Sequence, residues 1–529
     1  MAPTRSKTNT TTRLEKTDRE LAAGVLHLKK LLQARNWLRS PLLRLPTEVI
    51  VHILSYIMVE TVHSSVWQPI TRTCHHIRKV MCTSTELWRW ADFKSDRLAT
   101  LAFERSQGNL EAIFTDLEPA GGDWVNQNNW RFCRDNLALH GHKLHTLDLC
   151  GYPFHLADFS WIFERPLPRL ERLKIHLEPE WQEGNGSFLW DPVVLQLPTN
   201  LPLRVLHLCN AILPWSSGLF AGLSELHLDF RGCQGFVEIS EEDMLGVFEA
   251  SPQLETLSLF QLLSKVDPVR GYVPTRTVKF TNLKHLVLDS FARLVGYMLD
   301  HMDTPAIEQL KIRGELSSWE VEGSLDYFFS DTCLPDRLFP NPPTFEVWPD
   351  CGEGIYNSLK INIGNCHIQF DFDMDETEMT SDIIMACILP FVPPSVTTLR
   401  LDYSRLDEDA EWAEFFLSHS EVRSIECLDS GPVDESLWDA LSPVKMGGLI
   451  LCPKLESITL NKKGMSAPLL TCLMERKAVG FGLKRLGLHA ADDGMVQASV
   501  ALVEEVQAVN TPTTKPVRSV LDGQSDNHG

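Results

Sequence analysis

The residues best suited to chemistry are few. Asp371, Asp373 and Asp375 alternate as the first ligands of a calcium loop do. Such a loop also needs a glycine at its sixth position and a bidentate glutamate at its twelfth. Here Glu376 and Asp382 occupy those places, so the run reads as a solvated acidic surface. His75 and His76 are adjacent, and neighbouring helical residues point to different sides, so the two cannot share one metal. The thirteen cysteines are scattered without a C-x-x-C pair, which argues against a zinc site or a thioredoxin-type motif. There is no G-x-S-x-G, H-E-x-x-H or phosphate-cradling glycine loop. These readings predict a chain that is not an enzyme and that uses no cofactor or metal.

A net charge of −21 argues against a general nucleic-acid binder. The first forty residues are the exception, with nine Lys/Arg against three Asp/Glu. No signal-peptide core and no run of eighteen apolar residues is seen, so a soluble protein of the reducing cytoplasm or nucleus is expected, away from membranes. With 529 residues, 43% of them hydrophobic, several domains are expected.

Leu45-Pro46-Thr47-Glu48 opens the most distinctive segment. Pro46 suits a first helical position, and Glu48 suits the positive end of a helix dipole. Ile50, Ile53, Leu54 and Ile57 then follow the spacing of one helix face. Ile70, Cys74, Ile77 and Met81 predict a second helix, and Leu87, Trp88 and Ala91 a third, short one. Three short helices bury too little surface to stand alone and are expected to lean on a partner or on the rest of the chain.

In its order of residues this segment resembles an F-box, the adaptor-binding part of the substrate receptors of SCF-type ubiquitin ligases. The resemblance implies contact with a Skp-type adaptor, and through it a cullin scaffold, by Leu45, Pro46, Glu48, Ile53, Leu54, Ile70, Cys74, Leu87 and Trp88. It departs from the family at Ile77, where a large aromatic residue is common.

Ahead of this segment, residues 13–38 read as one helix. Leu14, Leu21, Val25, Leu28 and Leu32 form an a/d seam, which suits either a homodimer or packing along the F-box through Trp37 and Leu38. Residues 1–12 read as a disordered tail.

From residue 144 a repeat sets in: Leu144-x-x-Leu147-x-Leu149, Leu170-x-x-Leu173-x-Ile175, Leu203-x-x-Leu206-x-Leu208, Leu223-x-x-Leu226-x-Leu228, Leu254-x-x-Leu257-x-Leu259, Leu283-x-x-Leu286-x-Leu288 and Ile307-x-x-Leu310-x-Ile312. It resumes at Tyr356-x-x-Leu359-x-Ile361 and continues from Val396, Val422, Leu455 and Leu483. Units spaced on average about 31 residues apart predict divergent leucine-rich repeats, in which stacked parallel strands create the core no unit has alone. A Rossmann-like domain is the rival, and it lacks the glycine-rich loop.

The expected fold class is therefore α/β. A helix at 13–40 and a three-helix F-box at 41–93 precede a linker and cap at 94–143. An irregular leucine-rich-repeat solenoid covers 144–490, with a loop excursion at 313–355. A capping helix at 491–510 and a disordered tail at 511–529 complete it. The alternating outward positions Arg172, Lys174, His207, Glu225, His227, Asp229, Lys311, Arg313, Arg400, Asp402 and Glu426 are the expected contacts for a polar target protein. The combination looks like the fungal F-box proteins with irregular repeats. It implies a receptor that holds a target for ubiquitination; the alternative is a repeat scaffold uncoupled from a ligase.

Overall fold

The computed structural model describes residues 7–60, 67–92, 96–106, 110–114, 135, 137–151, 163, 166–177, 181–182, 186–187, 192–198, 200–231, 233, 237–264, 276–317, 344–351, 357–363, 366–373, 395–401, 412–427, 435–460, 467–488 and 500–508. Helices and a parallel sheet are combined, behind an N-terminal helix. The chain divides into one unit of residues 1–180 and 197–205, and a second of 181–196 and 206–529.

The first unit begins with α1 (Lys7–Arg39). Residues 7–12 thus belong to the helix rather than to a disordered tail; residues 1–6 lie outside the described range. A 3-10 turn at Pro41–Arg44 leads to α2 (Thr47–Glu60). Pro46 stands one place before the expected one, and its carbonyl accepts the Ile50 N–H at 3.1 Å. The predicted second helix is two, α3 (Trp67–Thr73) and α4 (His75–Thr83). The break falls at Cys74, which is extended and caps α4, its Sγ accepting the Ile77 N–H at 3.4 Å. The third predicted helix is a single 3-10 turn, Glu86–Trp88, and Ala91 lies in a strand.

Leu43, Ile50, Val51, Leu54, Ile77, Val80, Met81 and Leu87 form the helical core, with Ile70 and Cys74 at its edge. The parallel strands begin earlier than residue 144: β1 (Trp90–Asp92), β2 (Leu110–Phe114), β3 (Leu144–Gly151) and β4 (Arg172–Leu177) pair in order. With α5 (Asp96–Arg105) between β1 and β2, the stretch expected as a linker and cap, 94–143, contributes a helix and a strand of the parallel sheet.

In the second unit the strands β5 (Val205–Cys209), β6 (Glu225–Asp229), β7 (Thr256–Phe260), β8 (His285–Phe291) and β9 (Gln309–Ser317) are neighbours in that order, parallel from β6 to β9. Their alternating leucines explain the strands: Leu226, Leu257, Leu286 and Leu310 share one register row, at most 1% exposed. Each repeat is also tied to the next through one carbonyl. Ser224, Glu255 and Lys284 each accept two successive N–H groups from the following unit. Helices α6 (Glu241–Ala250) and α7 (Ala292–Asp300) return the chain between strands.

The interval 313–355 is not one loop. β9 runs on to Ser317 and β10 occupies Thr344–Cys351; residues 318–343 lie outside the described range. β11 (Asn357–Ile363) is antiparallel to both β10 and β12 (Cys366–Asp373), so the Leu359-x-Ile361 unit runs against the repeat. β12 is parallel to β9, and β10 to β13 (Thr398–Leu401), so this insert still hands the sheet on. Asp371 and Asp373 lie in extended β12 rather than in a metal-binding loop; Asp375, Glu376 and Asp382 are outside the described residues.

Parallel pairing continues through β14 (Ser424–Cys427), β15 (Ser457–Leu460), β16 (Arg485–Leu488) and β17 (Glu505–Ala508). β17 replaces the expected capping helix. Its apolar run is short enough for either element, and the open edge of β16 decides it by taking up the backbone N–H and C=O groups. Residues 491–499 and 511–529 lie outside the described range. Helices α8 (Trp412–Ser418), α9 (Glu435–Leu441) and α10 (Ala467–Ala478) pack in sequence, burying Trp412, Phe415, Phe416 and Trp438. The buried Arg476 guanidinium donates to the carbonyls of Leu441, Leu451 and Cys452 at 3.2, 2.9 and 2.8 Å.

Candidate functional site

α2 is apolar on two sides. Ile50, Val51 and Leu54 fill the helical core, and that face is closed. On the other side Val49 (41% exposed), Ile53 (37%) and Tyr56 (61%) continue a line begun by Leu42 and Leu45 in the preceding turn. Val49, Ile53 and Tyr56 are four and three residues apart on α2, so their side chains share one stripe, and Leu45 is exposed in the extended backbone just ahead of the helix. Glu48 is exposed beside it, in the first turn of the helix. His52 meets Tyr56 edge to face at 4.9 Å between ring centres.

The residues assigned by resemblance separate into three groups. Leu45, Pro46, Glu48 and Ile53 are exposed and stand together. Ile70 and Cys74 are half-buried against the core. Leu54, Leu87 and Trp88 are buried within this chain, so they hold its helices together instead of facing a partner. The Trp88 indole N–H donates to the Met81 carbonyl at 2.6 Å, and the Arg105 guanidinium lies 4.6 Å from its ring centre. Leu42, Val49 and Tyr56 are additions to the stripe. Their signal was the nearly unbroken apolar run Val49-Ile50-Val51, since a helix apolar on all sides needs two faces covered.

The second candidate is the polar face of the second unit's sheet. His207 Nε2 and Glu225 Oε1 are 2.7 Å apart. The His207 and His227 rings lie 5.2 Å apart, and His227 is equally far from Phe260. Asp229 accepts from Arg231 Nε at 3.1 Å and Nη2 at 2.7 Å, and the same guanidinium lies 4.4 Å from the Phe260 ring centre. Register aligns Asp229 with Phe260, Asp289 and Arg313, and Arg313 reaches Asp289 at 3.6 Å.

His207, Glu225, His227 and Asp229 are thus brought together. Asp229, expected to face solvent, is buried beneath Arg231, whose hydrogen bonds replace water. Lys311 is half-buried in the next row, in register with Val287. Arg400 donates to Glu426 at 2.7 Å further along. Arg172 is exposed and Lys174 half-buried on β4 of the first unit. Asp402 lies outside the described residues. Arg231, Phe260 and Asp289 join the cluster without having been anticipated.

Burial, with the nearby charges of His207 and Arg231, lowers the His227 pKa to about 4, against the opposing pull of Asp229 and Glu225. For Asp229 burial pushes the carboxyl up, but the hydrogen bonds and charge of Arg231 outweigh it and hold the group below its ordinary value. At neutral pH His227 is therefore uncharged, and its ring lies between those of His207 and Phe260, bordered by the Asp229–Arg231 pair.

No family model matches this chain, and no curated protein is significantly similar to it. Among the described residues no group of three or more His, Cys, Asp or Glu is placed to hold a metal ion. No helix among them is long and apolar enough to cross a membrane.

Proposed function

We propose that this chain is the non-catalytic substrate-recognition subunit of an SCF-type ubiquitin ligase. Its F-box-like helices would take a Skp-type adaptor, and its leucine-rich-repeat units a target protein. The observation that carries the reading is the set of exposed apolar residues Val49, Ile53 and Tyr56 on a helix whose opposite face is already filled, with Leu42 and Leu45 exposed in the turn that leads into it. Contiguous exposed apolar surface on a folded domain marks an interaction site. The Leu-Pro-x-Glu order at its head supplies the kind of partner. The polar row on the second unit would hold the target, and tethering raises the effective concentration of a target lysine without chemistry in this chain.

The test is capture of a purified Skp-type adaptor by the full chain. Wild type is expected to retain it, and a Val49→Glu, Ile53→Glu double variant to lose it at unchanged circular dichroism. Failure of the wild type to bind any adaptor from its own cellular extract overturns the reading. The second reading, a repeat scaffold uncoupled from a ligase, is favoured by Leu54, Leu87 and Trp88. These three are buried in the chain's own core, so the helices pack without a partner.

A further inference from the structure

Helix α1 carries its apolar residues in water. Exposure runs from 47% at Leu32 to 67% at Leu14 and 68% at Leu21, with Val25 and Leu28 between. These five occupy the a and d positions of consecutive heptads, so they form one seam rather than scattered sites. Trp37 and Leu38, expected to lay the helix along the F-box-like core, are themselves more than half exposed. Among the described residues nothing lies within 4 Å of a Cβ placed at Gly24, so their packing does not require glycine there. Glycine weakens a helix interior, so its place beside Val25, on the flank of the seam, calls for a neighbour from outside the chain.

We propose that α1 pairs with α1 of a second copy of this chain, antiparallel, as a two-stranded coiled coil centred near Ala23. The seam itself selects the direction. A parallel pair would stack Asp18 on the partner's Asp18 and Arg35 on the partner's Arg35 at core positions, placing like charges in contact. The antiparallel pair instead sets Leu14 against the partner's Leu32, and Leu21 against the partner's Val25. Glu15 of each copy then falls opposite the partner's Lys29, along the flank where e positions meet across an antiparallel interface. Asp18 comes beside the same lysine. Ala22 and Gly24 flank the seam at the crossing, at e and g positions, where small residues let the two backbones approach. Within the helix Glu15 and Arg19 are only loosely paired, 3.7 Å apart and mostly exposed, so Glu15 is available across the interface. This pairing is independent of whether the chain binds an adaptor.

The experiment measures the mass of the full chain in solution by light scattering behind size exclusion, at micromolar concentration. A species of twice the 59.9 kDa chain mass is expected. Leu21→Glu with Leu28→Glu is expected to give the single-chain mass at unchanged far-ultraviolet dichroism, since neither residue supports the rest of the fold. Glu15→Lys and Lys29→Glu should each weaken dimerisation severalfold, and the two together should restore it. A photo-crosslinking residue at position 14 should capture the partner near residue 32. A monomer at all concentrations, a dimer indifferent to the seam variants, or capture near residue 14 overturns the proposal. So does a monomer whose α1 binds anionic phospholipid vesicles and loses that binding in the seam variant.

Discussion

Lowering the pH should destabilise the second unit through His227. In the native state its imidazole stays neutral down to about 4, chiefly because it is buried, whereas an unfolded histidine titrates at 6.5. Below 6.5 the unfolded chain gains a proton at this position that the native state refuses. The unfolded state is favoured progressively as pH falls, and the effect is complete near 4. At about 1.4 kcal/mol for each pH unit between the two values, the loss is on the order of 3 kcal/mol. Asp229 acts in the same direction but in a lower window: its pKa is depressed, so its contribution is full above the ordinary value of 3.8 and is lost as pH falls from there through the native value. His227→Phe keeps a ring against Phe260 and removes the titrating nitrogen. Urea unfolding of wild type and variant at pH 7.5 and pH 4.5 isolates the effect, because the other groups titrate in both. The wild type should lose about 2–3 kcal/mol more than the variant across that interval. Equal losses in the two proteins would show that His227 is solvated and that the aromatic row is open to water.

Three further outcomes are expected. Leu226→Ala, at a fully buried position, should cost about 2–5 kcal/mol in thermal or urea unfolding, while Arg172→Ala, on an exposed position, should stay within about 0.5 kcal/mol. Arg476→Ala strips three carbonyls of their donor and should destabilise by on the order of 3 kcal/mol, with the segment Leu441–Cys452 exchanging its amides faster. Burial pushes the thiols of Cys427, Cys452 and Cys472 up to about 12. Iodoacetamide at pH 8 should therefore label the exposed Cys82 and spare these three, as peptide mass mapping can check.

What was legible in the sequence follows from which forces act locally. The parallel strands could be read because each depends on its own alternation: Leu226 and Leu228 point inward whatever lies beside them. Strand direction carries no such mark. Leu359-x-Ile361 alternates in the same way as its neighbours, yet β11 runs against them, since the alternation is unchanged when a strand is reversed. The same limit governs the F-box-like helices. Period 3.6 groups Ile50 with Ile53 and Leu54, but Ile53 and Leu54 are neighbours about 100° apart around the helix axis, enough that Leu54 closes the core and Ile53 faces water. Deciding between them requires knowing where Ile77 and Met81 come to rest, which depends on the break at Cys74. At the sheet cluster, His207, Glu225 and His227 were found because they occupy alternating strand positions. Arg231 was not, because it lies beyond the end of β6 and reaches back to Asp229 and Phe260. That contact also inverts the role of Asp229: its carboxylate anchors Arg231 from beneath, so the group this strand presents to solvent is the guanidinium and not the acid.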